Sequence, residues 1–145
     1  MVERVGVTTF PDGATPQYTG DYAAIIANSA GVPQAFITAG TATLTADFTA
    51  MTLSGTITGR QDQAGGTYAD VTLAEAAIVN GGFTGTATGG AKLAATPDFT
   101  DRGSYQGMVT GADAGEVVGT VYLRHLSIDV DNENGVFVTT EVTPP

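Results

Sequence analysis

A chain of 145 residues with 42% apolar side chains is long enough to bury one core and is typical of a single domain. It contains no cysteine, which excludes disulfide frameworks, thiol nucleophiles and cysteine-bound metal centres. Fifteen acidic residues outweigh five basic ones, and the resulting net charge of −10 would repel nucleic acid and anionic lipid.

The sequence shows no signal for export or membrane insertion. Residues 1–9 lack the basic start and apolar middle of a signal peptide. No apolar run approaches the roughly 18 residues that a membrane helix needs. The sequence as it stands predicts a soluble chain and leaves its compartment open.

Apolar or small residues alternate with threonine along several segments, which is the period of a strand with one buried face. In one such segment, Leu53, Gly55 and Ile57 alternate with threonine and serine. Threonine suits the outer face because its β-branch favours extended backbone and its hydroxyl is soluble without charge. Turn residues divide the chain into eight predicted strands, near Tyr18–Ala27, Phe36–Phe48, Met51–Arg60, Thr67–Val79, Gly82–Gly89, Gly103–Thr110, Glu116–His125 and Gly135–Val142. A ninth, short strand is predicted at Val5–Thr9.

The segments between these strands carry turn chemistry. Asn80-Gly81-Gly82 predicts a hairpin, because asparagine and glycine tolerate the positive φ of tight turns. Asp47 falls at the end of a strand, where its side chain is expected to cap a turn. The Ala-rich segment Leu73–Val79 lacks a helix cap and is interpreted as strand.

Sequential antiparallel strands favour closure, since a closed barrel removes both exposed sheet edges. We therefore predict an all-β fold, an eight-stranded antiparallel up-and-down β-barrel, with a β-sandwich as the alternative. Glycines at inward positions such as Gly55, Gly85 and Gly119 would let the strands coil and admit large side chains from across the barrel. Residues 1–145 form one domain in this prediction, with an N-terminal arm at 1–16 and a tail at 143–145.

The residue types that catalysis needs are scarce. His125 is the single histidine, and no serine lies in a Gly-x-Ser-x-Gly nucleophile elbow. Glycine-rich segments such as Gly89-Gly90 are not followed by the Lys-Ser or Lys-Thr of a phosphate loop. We identify no catalytic residues and predict that the protein is not an enzyme.

Two ligand sites have weaker support. Asp129, Asp131 and Glu133 place oxygen atoms at alternate positions, as in a calcium loop, although the glycine and the twelfth position depart from that motif. The alternative is a plain solvated loop. His125 is a candidate axial ligand for haem, with Tyr105 or Tyr122 nearby, and its alternative is a solvent-facing residue at a strand end.

Residues 94–102 form the longest loop that combines an aromatic residue, a proline and both signs of charge. Such a composition is typical of protein recognition, and it nominates Phe99, Asp101 and Arg102 as partner-binding residues. Phe99 is either an exposed anchor or a plug for the open end of the barrel. Phe10 is a second candidate anchor, which could equally hold the N-terminus across the barrel mouth.

Several segments together resemble the β-barrel domain of transferrin-binding protein B, a domain shared with Slam-dependent surface lipoproteins and secreted haem-capturing proteins. The resemblance extends from Tyr18 to about Thr140 and rests on the order and spacing of residues 43–48, 53–57, 83–87, 103–107, 114–121 and 135–137. It implies an eight-stranded barrel and a bacterial surface or secreted protein that captures an iron-carrier protein or haem.

The chain departs from the family pattern at three points. The lipidated cysteine with its tether is missing, Val121 stands where an aromatic residue is usual, and residues 126–134 form an extra polar excursion. The family's partner-binding residues lie in variable loops and in a separate handle domain. None of them can be matched in this chain, so the resemblance implies a protein partner without identifying it.

Two other classes of function stay open. The first is a structural subunit, such as a virion decoration or spike protein, in which residues 2–10 and 136–145 pair with neighbouring copies. A lipocalin-like carrier of a small apolar molecule would need a hollow interior. A binding module is expected to be a monomer, whereas a structural subunit is expected to be a homo-oligomer.

Overall fold

The computed structural model describes residues 15–28, 34–89, 102–124 and 131–142. The strands, in chain order, are β1 (Gln17–Asn28), β2 (Gln34–Asp47), β3 (Thr52–Asp62), β4 (Val71–Ala77), β5 (Gly82–Gly89), β6 (Arg102–Thr110), β7 (Glu116–Arg124) and β8 (Asp131–Glu141). Each strand pairs antiparallel with the next, and β8 pairs with β1, so the sheet closes into a barrel.

This architecture confirms the predicted eight-stranded antiparallel barrel over the sandwich alternative. The observed bounds of β5 coincide with the predicted ones. The last strand is longer than predicted, since it begins at Asp131 and not at Gly135. The extra residues pair with the end of β1, where Asn134 lies opposite Ile25, so much of the predicted polar excursion is strand. The predicted strand at Val5–Thr9 and the terminal residues 143–145 lie outside the described residues.

The interior of the barrel is occupied by large side chains. The fully buried ones include Tyr18, Tyr22, Leu44, Leu53, Ile57, Leu73, Tyr105, Leu123 and Phe137. Two glycines make room for the largest of these: a Cβ on Gly119 would lie 2.5 Å from Cζ of Phe137, and one on Gly85 would lie 2.5 Å from the ring of Tyr105. These inward glycines therefore make room for large side chains, as predicted, but the side chains come from the paired residue on the adjacent strand and not from across the barrel.

The outer surface of the barrel is rich in threonine over six neighbouring strands. A continuous ladder of cross-strand neighbours runs from β8 through β1 to β5 and consists of Thr140, Thr19, Thr43, Thr56, Thr72 and Thr88. Pairs of β-branched side chains on adjacent strands stabilise a sheet, and their hydroxyls keep this surface hydrated without charge.

The two ends of the barrel differ in their connections. The connections β2–β3, β4–β5 and β6–β7 have four, four and five residues and lie at one end, here called the short-turn end, where the chain also enters β1 and leaves β8. The other four connections, residues 29–33, 63–70, 90–101 and 125–130, have five to twelve residues and leave and re-enter the barrel at the opposite end, here called the long-loop end.

The short-turn end is closed by local hydrogen bonds and by turn residues. Asn80 and Gly81 have φ values of 51° and 79°, as expected for the predicted hairpin. The Asp47 carboxylate accepts hydrogen bonds from the backbone N–H groups of Thr49 and Ala50 at 2.9 and 3.0 Å, which confirms the predicted cap. A 3₁₀ turn at Ala112–Ala114 joins β6 to β7. No helix within the described ranges is long and apolar enough to cross a membrane.

Candidate functional site

Five buried side chains form a polar cluster inside the barrel on the side of the long-loop end. They are Tyr22, Arg60, Asp62, Tyr68 and Glu133, here called the buried polar cluster. The guanidinium of Arg60 donates hydrogen bonds to both carboxylate oxygens of Glu133 and, through Nη1, to the Ala69 carbonyl at 3.0 Å. Both members of this ion pair are fully excluded from solvent. Burial of each charge is tolerated because the other one compensates it.

Tyr22 links the ion pair to β1. Its hydroxyl donates a hydrogen bond of 2.6 Å to Oε2 of Glu133. The ring lies over Gly135, where a Cβ would come within 2.4 Å of the Tyr22 hydroxyl oxygen, so glycine is needed for this approach. The ion pair is thereby joined to three strands, β1, β3 and β8.

Asp62 and Tyr68 extend the cluster into the β3–β4 connection. One carboxylate oxygen of Asp62 accepts backbone hydrogen bonds from Ala64 and Gly66 at 2.9 and 2.8 Å. The other oxygen accepts a hydrogen bond from the Tyr68 hydroxyl at 3.0 Å, and the Tyr68 ring lies 5.2 Å from Cζ of Arg60 in a cation–π contact. The conformation of this connection is therefore fixed from inside the barrel.

A β-bulge turns Arg60 and Asp62 inward. Gly59 has φ +63°, and the pairing with β2 shifts at this point, so that two residues of β3 oppose one of β2. Strict alternation from Leu53 would instead place Arg60 on the outer surface. The sequence analysis consequently missed the cluster, although a glycine within an alternating strand followed directly by a charged residue is a recognisable bulge signal.

The environment of the cluster keeps its two phenols protonated. Burial raises the pKa of Tyr22 far above the ordinary value for tyrosine, and the adjacent Glu133 carboxylate raises it further. Burial and the hydrogen bond to Asp62 likewise raise the pKa of Tyr68. Both hydroxyls therefore serve as hydrogen-bond donors to carboxylates at physiological pH.

The hydrogen bonds described above join the side chains of the cluster to other protein groups. Such a network makes its surroundings rigid, and here it ties the end of β3 and the start of β8 to the middle of β1. The β3–β4 connection leaves from the first of these strand ends, and the β7–β8 connection returns to the second. The cluster is therefore suited to hold a loop-bearing surface in place.

The long-loop end also carries exposed positive charge. Arg102 and Arg124 are cross-strand partners on β6 and β7, and both are exposed. They are the exposed basic residues within the described ranges, whereas the short-turn end carries acidic residues such as Asp113, Glu116 and Glu141. Acidic residues occur at both ends, since Asp70 of the β3–β4 connection is exposed as well, so the feature specific to the long-loop end within the described ranges is this pair of arginines.

Several of the predicted site residues belong to connections at this same end. The predicted partner-binding residues Phe99 and Asp101 fall in the β5–β6 connection, and the haem candidate His125 and the calcium candidate Asp129 fall in the β7–β8 connection, all outside the described residues. Arg102, the first residue of β6, is exposed as a binding residue requires. Phe10 also lies outside the described residues, upstream of β1.

Glu133 differs from its predicted role as a calcium ligand. It lies within β8 with its carboxylate inside the barrel, bonded to Arg60 and Tyr22. Asp131 is the first residue of the same strand. Within the described ranges, no group of three acidic or histidine side chains could hold a metal ion.

The two tyrosines suggested as companions of His125 lie on opposite faces of the barrel wall. Tyr105 is buried inside, and its hydroxyl donates to the backbone carbonyls of Leu53, at 3.3 Å, and Ala74. Tyr122 is on the outer surface and bonds Asn132 at 3.2 Å. A haem at His125 would therefore not be flanked by Tyr105, whose hydroxyl is already occupied.

No protein-family model and no curated protein sequence matches this chain. Solved structures of transferrin-binding protein B do match. A variant of the vaccine antigen from Haemophilus parasuis Hp5 matches with a TM-score of 0.66 and 19% identity, over 94% of this chain and 28% of the other. The isotype 1 protein from serogroup B Neisseria meningitidis matches with a TM-score of 0.60 and 19% identity, over 89% and 26% respectively.

These matches establish that the chain has the fold of a β-barrel in transferrin-binding protein B, as the sequence resemblance implies. At 17–19% identity they establish the fold alone. The chain spans little more than a quarter of the length of the matched proteins.

Proposed function

We propose that this barrel is a non-enzymatic binding module that captures a protein partner with its long-loop end. The observation that carries the proposal is the buried polar cluster, which joins the end of β3 to the start of β8 at the long-loop end. Binding loops work best on a rigid support, because a preorganised surface loses less conformational entropy when the partner binds.

The partner class follows from the structural similarity. The matched proteins are named for binding transferrin, an iron carrier. By analogy, we propose an iron-carrier protein as the partner and the bacterial cell surface as the location. The matches described above give no support to the virion alternative.

A pair of exposed arginines at the long-loop end is consistent with this proposal. Arg102 and Arg124 lie side by side at this end of a strongly acidic molecule. Charges at the rim of an interface steer the encounter of two proteins and set their relative orientation. An acidic group on the partner would pair with these two arginines.

The test is capture of purified iron-carrier proteins by the immobilised chain, measured by surface plasmon resonance. Replacing residues 91–100 with a Gly/Ser segment of equal length should abolish capture and leave the β-sheet circular dichroism spectrum unchanged. The matched control is Glu75→Gln, an exposed residue of β4 away from the long-loop end, which should leave capture unchanged. Capture that survives the loop replacement would rule out the long-loop end as the binding site.

A further inference from the structure

The outer wall of the barrel changes character between neighbouring strands. Outward positions of β3 and β5 are mainly threonines, whereas those of β1, β2, β7 and β8 include, beside threonines, large apolar side chains that are 42–58% exposed. These are Ile25, Ile37, Tyr122, Val136 and Val138, here called the apolar wall. A chain that uses threonine elsewhere on its surface has no solubility reason for exposed isoleucine and valine here. Contiguous exposed apolar surface of this kind marks an interaction site.

The members of the apolar wall are contiguous because of the strand register. Ile25 lies opposite Ile37 on β2 and opposite Asn134 on β8, and Asn134 in turn lies opposite Tyr122 on β7. A shallow open groove of about 650 Å³ crosses these strands and is lined largely by Ile25, Ile37, Tyr122 and Val136. Val138 lies beyond the groove, toward the short-turn end.

Two opposite charges bound the apolar wall along β7. Arg124 lies two residues from Tyr122 toward the long-loop end, and Glu116 lies at the other end of the same strand. Both are exposed, and both occupy outward positions of the alternation that buries Val117, Val121 and Leu123. Thr120, opposite Val136 on β8, is midway between the two charges.

We propose that the apolar wall is the contact surface between two copies of this chain, packed antiparallel about a two-fold axis near Thr120 and Val136. Such an axis places Arg124 of each copy opposite Glu116 of the other, whereas a parallel arrangement would place arginine against arginine. It also brings Val138 of each copy over the groove of the other. A two-fold interface must be complementary to itself, and the opposite charges at the two ends of β7 meet that requirement.

The apolar side chains supply the affinity in this dimer, and the charges supply the register. Burial of aliphatic surface drives association, whereas exposed ion pairs contribute little energy but penalise the wrong orientation. The dimer directs the two long-loop ends to opposite sides and engages Arg124 of each copy, leaving the connections at those ends uncovered. The inference goes beyond the proposed capture function, and it departs from the monomer expected of a binding module.

The first test is sedimentation equilibrium of the chain from micromolar to millimolar concentration, where a reversible monomer–dimer equilibrium is expected. The double variant Val136→Thr/Val138→Thr keeps two β-branched residues in the strand and should raise the dissociation constant at least tenfold, an order-of-magnitude estimate from the lost apolar contact. The control Thr86→Ser, at an exposed position of β5, should not change it. A monomer at every concentration would overturn the proposal and would mean that another segment or another protein covers the wall.

A charge exchange tests the antiparallel arrangement itself. Glu116→Arg and Arg124→Glu should each raise the dissociation constant, because each creates two like-charge contacts across the axis. The double variant Glu116→Arg/Arg124→Glu should restore the wild-type value, since the two charges simply exchange places. A dimer that the exchange fails to restore would exclude this arrangement, and circular dichroism would verify that every variant is folded.

Discussion

Arg60 and Glu133 form an ion pair across the interior of the barrel, although 73 positions separate them in the chain. They project from β3 and β8, which are not neighbours in the sheet. The backbone hydrogen bonds of a barrel join only adjacent strands, so this pair connects parts of the wall that the sheet itself leaves unconnected. It does so on the side of the barrel that carries the long connections.

Replacing one member of this ion pair should strongly destabilise the folded protein. Arg60→Met leaves the Glu133 carboxylate buried without its cation, and Glu133→Gln leaves the guanidinium without its anion. Each single variant should lower the free energy of unfolding in urea by about 3–5 kcal/mol. The double variant should recover much of that loss, because it buries no net charge and glutamine can still accept the Tyr22 hydrogen bond. Additive losses in the double variant would contradict the proposed coupling.

The bulge should require glycine at position 59 because of its backbone conformation, and not because neighbouring atoms leave no room for a side chain. A Cβ at this position would meet nothing within 4 Å, but the backbone has φ +63°. Gly59→Ala should therefore destabilise the barrel by about 1–2 kcal/mol, and Gly59→Asn by less, because asparagine tolerates the left-handed region. Urea unfolding of both variants tests this order.

Gly55 provides the matched comparison for Gly59. Its backbone φ is not positive, but an added Cβ would lie 2.3 Å from the Thr43 carbonyl oxygen, so the strands must move apart. Gly55→Ala should therefore cost more than Gly59→Ala. The reverse order would show that the bulge, and not close strand approach, limits the stability of β3.

The barrel could be predicted from the sequence because the evidence for it lies within short segments of the chain. Alternation identified inward residues such as Leu53 and Ile57, and turn chemistry identified the hairpin at Asn80-Gly81. The buried polar cluster was not predictable in the same way. Its members come from three strands and one connection, and the bulge changes which residues of β3 face inward. A single sequence does not contain the pairing that brings Arg60 to Glu133.

Alkaline pH should destabilise the barrel through its interior tyrosines. Burial raises the pKa of Tyr18 and of Tyr105 to about 12, with added contributions from Glu141 and Glu75 respectively, and the pKa of Tyr22 and of Tyr68 is raised as well. A tyrosine whose pKa is higher in the folded than in the unfolded state stabilises the fold fully below the unfolded value of about 10. That stability is lost as the pH rises toward 12.

Ultraviolet titration of tyrosinate measures this effect. The absorbance of the buried tyrosines should rise together with loss of the β-sheet circular dichroism signal, because ionisation and unfolding are coupled. The contribution of these tyrosines to the free energy of unfolding should be constant below pH 10 and should fall above it. A full tyrosinate signal near pH 10 in a chain that is still folded would contradict the assignment of these residues to the interior.

Substitution of Phe99 distinguishes the two roles predicted for it, an exposed anchor for the partner and a plug for the open end of the barrel. If it is an exposed anchor for the partner, Phe99→Ala should weaken capture at least thirtyfold, about 2 kcal/mol for a central aromatic contact, and leave the melting temperature unchanged. If it plugs the barrel, the same variant should lower the unfolding free energy by about 3–5 kcal/mol. Phe83→Ala, at a buried position of β5, gives the stability loss expected of a core phenylalanine and calibrates the comparison. We expect the first result, since the buried polar cluster already fills the barrel on this side, and a variant with neither effect would remove Phe99 from the binding surface.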